Sequence, residues 1–409
     1  MLVKQMPNGN LLNVLQIIRR AGRITRREIA DKLGFGFSMA SKLTADLTAL
    51  DLIYEAGRSD AESGRPSDLL AINPQSAYAV GLDISGTHQK AVITDLCGGV
   101  VASISENKHI PADRQLILDG LETMISRALN CCDLKRDDIM GIGISLWASV
   151  DPASGTISSW TETPTLSAIL RDFPIRSALQ ERFEFPHIFV DDIVRNLGAA
   201  EVRYGHHRQE NEDFLFVLAD SGIGLAIMLN GIPYVGPFQI AGEIGHIPIS
   251  GLTTPCSCGN IGCLETVAST TAILQQVNQR INASNVRTIL REPGNTPTII
   301  DVINAAETGD KTAYQILTEA GQYLGTILAA TVNILGTRLI ILGGVLAKST
   351  VYLDAVRRNL RLQALGKIAT GVYIEPSQLD EMAGARGAAV RVLDALFNSE
   401  NANIIALKQ

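Results

Sequence analysis

Half of the chain's six cysteines fall within the eight positions Cys256-Ser257-Cys258-Gly259-Asn260-Ile261-Gly262-Cys263, which begin ten residues after His246. One imidazole and three thiolates make a closed tetrahedral set for zinc, a borderline-soft ion that favours nitrogen and sulfur ligands. A fold built on this chain must therefore bend residues 246–263 until four donors meet at one point. Gly259 and Gly262 give the backbone freedom to do so. The competing reading is a run of buried cysteines or a disulfide. Cys256 and Cys258 are too close to pair comfortably with each other, and Cys97, Cys131 and Cys132 show no ligand spacing. With every position filled by protein, the ion would be structural, without a vacancy for water. Carboxylates flank the set: Glu243 three residues before the histidine, Glu265 two after the last cysteine.

A chain of 409 residues exceeds one ordinary core, so two or three domains are expected. Hydrophobic content of 46% with 36 glycines fits an α/β protein and argues against extended disorder. Polar Asn8, Asn10 and Asn13 interrupt the start, so no signal peptide is read there. The most apolar stretch, residues 325–347, contains Asn333 and Arg338 and reads as a buried helix followed by a strand. Free cysteines, a thiolate metal set and no export signal make the cytoplasm the expected compartment.

Charge is unevenly spread. Residues 1–50 carry eight Lys/Arg against three Asp/Glu, a net of +5, while the rest holds 27 against 39, a net of −12. Such a segment is either a solvated helix face or a polyanion-binding module. Sequence pattern favours the module. Leu11, Leu12, Leu15 and Ile18 repeat with helical spacing, and Gly22 ends that helix. Thr25 and Glu28 form a capping box for a second helix that buries Ile29 and Leu33 and stops at Gly34. A third helix places Ala40, Leu43, Leu47 and Leu50 on one face and Ser38, Ser41, Lys42 and Ala45 on the other. Small and polar side chains of this kind can enter a major groove of double-stranded DNA. Two short strands follow, around a loop containing Arg58 and Ser63-Gly64-Arg65-Pro66, which would be a wing with Arg65 reaching phosphate or the minor groove. Arg19, Arg20, Arg26 and Arg27 are the expected phosphate contacts. The alternative is a three-helix dimerisation module.

From residue 78 the pattern changes. Tyr78-Ala79-Val80-Gly81-Leu82-Asp83-Ile84-Ser85-Gly86-Thr87 reads as a strand and turn, with Lys90-Ala91-Val92-Ile93-Thr94-Asp95 returning. A hairpin tip with an aspartate and small residues can approach phosphates through backbone N–H groups. Phe214-Leu215-Phe216-Val217-Leu218 leads into a second such turn at Ser221-Gly222-Ile223-Gly224, and Leu339-Ile340-Ile341-Leu342-Gly343-Gly344 is a strand ending at a glycine pair. Strands alternate with helical stretches, so the class is α/β.

Taken together, these motifs resemble those of the ROK family (repressors, open reading frames and kinases) over nearly the whole chain. The resemblance rests on the basic head with Ser63-Gly64-Arg65-Pro66, the Asp83-Ile84-Ser85-Gly86-Thr87 turn, Gly242-Glu243-Ile244-Gly245-His246 and the cysteine motif through Glu265. It implies a winged helix-turn-helix over residues 1–75, then an actin-like (ribonuclease H-like) two-lobed sugar-kinase fold. The first lobe would cover 76–190, completed by a C-terminal helix at 387–409. The second would cover 191–386, with the zinc site and an oligomerisation surface. Members with a DNA-binding head are sugar-responsive regulators, so a DNA operator, a sugar or sugar-phosphate effector and a homodimer or homotetramer are the implied partners. By the motif, Glu243, His246 and Glu265 would contact sugar hydroxyls, with His246 also on zinc through its other nitrogen.

The chain departs from the family's kinases where catalysis would be housed. Anchored on Glu201, the run Val190-Asp191-Asp192-Ile193-Val194-Arg195 puts Ile193 at the position of the catalytic base and Asp192 at that of a sugar-binding Asn. A hydrocarbon cannot accept a proton, and general-base help is typically worth about 10²–10⁴-fold. A one-residue slip would let Asp192 substitute. Ser85 replaces the first glycine of the phosphate turn, and Trp147-Ala148 replaces a Pro-Gly beside the sugar, where Trp147 either stacks on the ring or fills the pocket. The reading is therefore a regulator, with no catalytic residues and Trp147, Asp192, Glu243, His246 and Glu265 around an effector. An active kinase with an appended head, and a regulator answering to a protein partner, are the alternatives.

Overall fold

The computed structural model describes residues 9–59, 66–85, 87–160, 164–183, 185, 187–206, 213–282, 288–291 and 296–397. Arg65 with the loop around it, and Gly86, lie outside the described residues.

The first helix, Gly9–Ala21, turns Leu12, Val14, Leu15 and Ile18 inward. Thr25 then caps the helix Arg26–Leu33: its hydroxyl accepts the Glu28 N–H at 3.2 Å, while the Glu28 carboxylate accepts the Thr25 N–H at 2.8 Å. Gly34 closes that helix in the left-handed region (φ 66°). The third helix, Phe37–Ala49, buries Ala40, Thr44 and Leu47. Strands Ile53–Arg58 and Asp68–Ile72 pair antiparallel, and Ile24–Thr25 pairs on the other side of the second of them. The core of the basic segment runs on without a break into the first lobe and the C-terminal helix, through Ala79, Val92, Ala389 and Leu393.

The body holds two five-stranded sheets. In the first, the order is Ile188–Asp192, Ile139–Leu146, Tyr78–Ile84, Gln89–Asp95 and Val100–Glu106, the first three parallel and the last two antiparallel. Helix Arg114–Asn130 covers one face. The C-terminal helix Ala383–Phe397 lies on the other, so close that a Cβ on Gly81 or Gly143 would sit 1.9 Å from the Ala385 or Ala388 carbonyl oxygen. In the second sheet the order is Ile232–Tyr234, Ile223–Leu229, Phe214–Ala219, Leu339–Gly343 and Tyr373–Pro376. Its strands are apolar on both faces: Leu215, Val217 and Ala219 pack with helices Lys311–Leu335 and Thr350–Gln363, whereas Phe214, Phe216 and Leu218 pack with helix Ile193–Tyr204. The apolar stretch at 325–347 is this buried helix and the strand after it, as its pattern predicts. No helix among the described residues is long and apolar enough to cross a membrane.

Two boundaries differ from expectation. Strand Ile188–Asp192 stays in the first sheet through Asp192, so the chain crosses over at Ile193 rather than 191. The returning helix starts at Ala383, four residues before 387. It also carries the head: Arg19 pairs with Asp394 at 2.7 Å and lies 4.3 Å over the Phe397 ring, and the Gln16 amide donates to the Phe397 carbonyl.

Candidate functional site

The ligand atoms of His246, Cys256, Cys258 and Cys263 lie within 4.8 Å of one another, a group that could hold a metal ion. Cys256 Sγ is 3.6 Å from His246 Nδ1, and Cys258 Sγ is 3.6 Å from Cys263 Sγ. The loop reaches this shape because Gly259 (φ 94°) and Gly262 (φ 74°) adopt left-handed backbone, while the Cys256 N–H closes on the Asn260 carbonyl at 2.8 Å. His246 turns Nε2 the other way, 3.9 Å from the Glu243 carboxylate. One imidazole thus joins the thiol cluster to its neighbour, the cleft between the sheets.

That cleft has a volume of about 590 Å³ and brings together Trp147, Asp192, Glu243, His246 and Glu265, the residues expected around an effector. Glu265 accepts the Ile223 N–H at 3.0 Å; burial raises its carboxyl against the pull of that bond and of His246. Across the cleft, the Ser149 hydroxyl donates to Glu243 Oε1 at 3.3 Å, a direct bond between the two halves of the body. Sequence reasoning missed Ser149. Its only signal is its place two residues after Trp147.

Ile193 lines the same cleft, is 5% exposed and packs with Phe216 and Leu218. Asp192 beside it is committed elsewhere. Its Oδ1 accepts the Arg195 N–H at 2.8 Å, capping helix Ile193–Tyr204, and its Oδ2 pairs with the Arg195 guanidinium at 2.6 Å. Arg195 also bonds Asp191 Oδ1 at 2.6 Å and the Val150 carbonyl at 3.0 Å. The Asp–Arg spacings of three and four residues were the sequence signal for this buried triad. Burial, helped by Asp191 and opposed by Arg195, pushes the Asp192 carboxyl up to about 6.

A folded-state value above the ordinary 3.8 means that folding takes up a proton between those two values, so this group's contribution to stability falls as pH rises through about 6. Asp192→Asn keeps a capping oxygen but cannot ionise. Its urea midpoint relative to wild type is therefore expected to improve from pH 5 to pH 8. An unchanged or opposite difference would place the raised carboxyl elsewhere.

The first hairpin turn is closed by its own side chain. Fully buried Ser85 Oγ accepts the N–H groups of Thr87 at 3.2 Å and His88 at 3.0 Å and lies 2.7 Å from His88 Nδ1. These are backbone donors that a phosphate would need. Trp147 meets the His88 ring edge-to-face, with centroids 6.3 Å apart. The half-buried indole therefore packs on the turn while also lining the cleft, so filling and ligand contact are not exclusive.

On the head, Ser38, Lys42 and Arg27 are exposed and Ser41 is half-buried. Phe37 and Met39, unremarked in the sequence pattern, are 60% and 42% exposed on the same helix. Arg26 differs from its expected role. Its guanidinium is held by Glu55 at 2.9 Å, Asp68 at 3.8 Å and the Thr44 hydroxyl at 3.3 Å, tying the second helix to the two strands. Arg19 is likewise engaged by Asp394.

Comparison with known proteins assigns the class. The sequence profile of the ROK family matches residues 79–395. The chain belongs to the ROK family. It is 29% identical over 399 residues to the DNA-binding transcriptional dual regulator NagC of Escherichia coli, covering 97% of this chain and 94% of that one. It is 24% identical over 387 residues to the xylose repressor of Bacillus subtilis, covering 93% and 94%. Among solved structures it is similar to a ROK family transcriptional regulator described as a homologue of the E. coli Mlc protein, with a TM-score of 0.83, 25% identity and 99% of both chains covered. The ROK family glucokinase of Streptomyces griseus, solved with glucose and AMPPNP, shares the fold at a TM-score of 0.65 and 24% identity over 76% of this chain and 98% of that chain. The body is thus an α/β fold of the actin-like sugar-kinase type.

Proposed function

We propose that this protein is a cytoplasmic, sugar-responsive transcriptional regulator, a repressor of carbohydrate uptake or catabolism genes, without kinase activity. One observation carries the reading. The interlobe cleft keeps its sugar-facing acids Glu243 and Glu265, yet an isoleucine stands at the base position and Ser85 fills the phosphate turn. Such a cleft is suited to bind and not to transfer. The names of the similar regulators support the same reading.

In this proposal residues 1–75 are a winged helix-turn-helix that presents Ser38, Ser41 and Lys42 to the major groove, with Arg27 and Arg65 on phosphates. The two lobes follow, the second completed by the crossover helix at Ile193 and the first by the C-terminal helix from Ala383. Effector binding between the lobes favours one arrangement of them, and the coupling to DNA affinity would be of the usual order, about 1–3 kcal/mol. Two heads on a homodimer or homotetramer would read paired half-sites. Zinc is the metal that fits best. Bonds of about 2.3 Å to sulfur and about 2.0–2.1 Å to nitrogen make tetrahedral edges of about 3.8 Å between sulfurs and about 3.6 Å from sulfur to nitrogen. One sulfur–nitrogen and one sulfur–sulfur separation, both 3.6 Å, are of that size, and all four donors lie within 4.8 Å of one another.

The test is a thermal-shift screen against hexoses, pentoses, amino sugars and their 6-phosphates. At least one is expected to raise the melting temperature of wild type and to have no effect on Glu243→Ala. A blank screen on folded protein would move control to a protein partner. In operator-binding assays Lys42→Ala is expected to weaken affinity about tenfold, within the range of a good base or phosphate contact. Undiminished binding would remove the third helix from the groove.

A further inference from the structure

Where the head meets the body, the described residues frame an open cavity of about 1320 Å³, larger than the 590 Å³ interlobe cleft and separate from it. Its walls come from three directions. Arg19 and Arg20 come from the last turn of the first helix, Arg391 and Asp394 from the C-terminal helix, and Arg203 stands near the end of helix Ile193–Tyr204. The second-lobe turn at Asn230 closes the remaining side. Among the described residues, four arginines and one aspartate line this space, in a chain whose net charge is −7.

Two of the four are engaged by the protein, Arg19 with Asp394 at 2.7 Å and Arg203 with the Cys97 carbonyl. Arg391 makes a longer ion pair, 3.8 Å, to Asp191 Oδ2, and Arg20 is exposed and makes no ion pair among the described residues. Helix-end preference accounts for Arg19, Arg20 and Arg203, since cations are favoured at C-termini. It does not account for Arg391, which sits in the middle of Ala383–Phe397 and stands between this space and the smaller one that Asp191 lines.

We propose that this cavity is a second ligand site, for a small molecule bearing a phosphate or similar dianion, held by Arg20 and Arg391 and bridging head to body. Guanidinium forks supplied by two different helices suit an oxyanion with several acceptor oxygens, since each fork binds two oxygens side by side. A neutral sugar would gain nothing from the charge surplus. Operator phosphates fit less well, because most of the walls belong to the body rather than the head. Arg391 also abuts Asp191, which shares Arg195 with Asp192 at the cleft. An anion that draws Arg391 away therefore alters the charge balance of the triad that borders the effector cleft. The site stands whether or not the cleft binds sugar.

The test is calorimetric titration of the metal-loaded full chain with inorganic pyrophosphate at constant ionic strength. One pyrophosphate per chain is expected, with affinity at least tenfold weaker in Arg20→Gln and in Arg391→Gln and retained in Glu243→Gln. Arg20 is exposed, so its variant reports on the site without a folding defect. Absence of binding to wild type, or wild-type affinity in Arg20→Gln, would overturn the proposal. So would loss of binding in Glu243→Gln alone, which puts the anion in the interlobe cleft. An Arg20→Gln variant impaired only in operator binding would assign the surface to DNA.

Discussion

Removing the metal with a chelator is expected to lower the melting temperature by about 10 °C and to abolish sugar binding in the same step. Residues 246–263 form a loop with little core of its own: Ile261 is 60% exposed, and Cys263 is its buried anchor, with buried Leu264 just after it. Without an ion, three thiols and an imidazole have to be held together by weak hydrogen bonds. Opening a cross-linked loop of about 15 residues costs about 3 kcal/mol in chain entropy. For a unit of 150–250 residues each kcal/mol shifts the midpoint by about 2–4 °C. The loss of sugar binding follows because the loop holds His246, whose second nitrogen faces Glu243, and leads into Glu265. Cys258→Ser is the cleaner variant, since Cys258 is exposed and the change leaves no packing defect. It should melt like chelated wild type and be indifferent to chelator. A melting temperature that chelator leaves unchanged would show that the cluster holds no structural ion.

Much of the fold was legible because it depends on local, short-range rules. The capping box at Thr25 and Glu28, the glycine at Gly34 and the helical spacing of Leu12, Leu15 and Ile18 each specify their element without help from elsewhere. The His–Cys cluster was legible for the same reason, since three of its four members lie within eight residues. Long-range electrostatics were not legible. Nothing local tells that Arg26 faces Glu55 and Asp68, or that Arg19 faces Asp394, because those carboxylates lie 29, 42 and 375 positions away. Both arginines look like free basic residues until the chain closes. Ser85 is an intermediate case. Its sequence position shows a side chain where a glycine is wanted, but only the folded turn shows that its hydroxyl occupies the Thr87 and His88 donors.

That occupied turn bears on a further expected result: the protein should consume no ATP with any sugar that stabilises it, and Ile193→Asp alone should not change this. A new carboxylate would supply the missing proton acceptor, a contribution of about 10²–10⁴-fold where the rest of the machinery is intact. It is not intact here. The Thr87 and His88 backbone donors of the first hairpin are taken by Ser85, and Trp147 leans on His88 across the same turn. The position is also hostile to charge. Ile193 is 5% exposed, and a point beside Gly384 lies 2.6 Å from Ile193 Cδ1 and 2.5 Å from Asp83 Oδ2, so a carboxylate there would face Asp83 closely. Burying it without a partner should destabilise the variant by about 2–4 kcal/mol, in the upper range for a single substitution. Coupled-enzyme assays on wild type, Ile193→Asp and Ile193→Asp with Ser85→Gly separate the two obstacles. Turnover in wild type would make the chain a kinase with a DNA-binding head. Turnover in Ile193→Asp alone would mean that Ser85 yields its donors to phosphate, whereas turnover confined to the double variant would show that catalysis was lost at the turn as well as at the base.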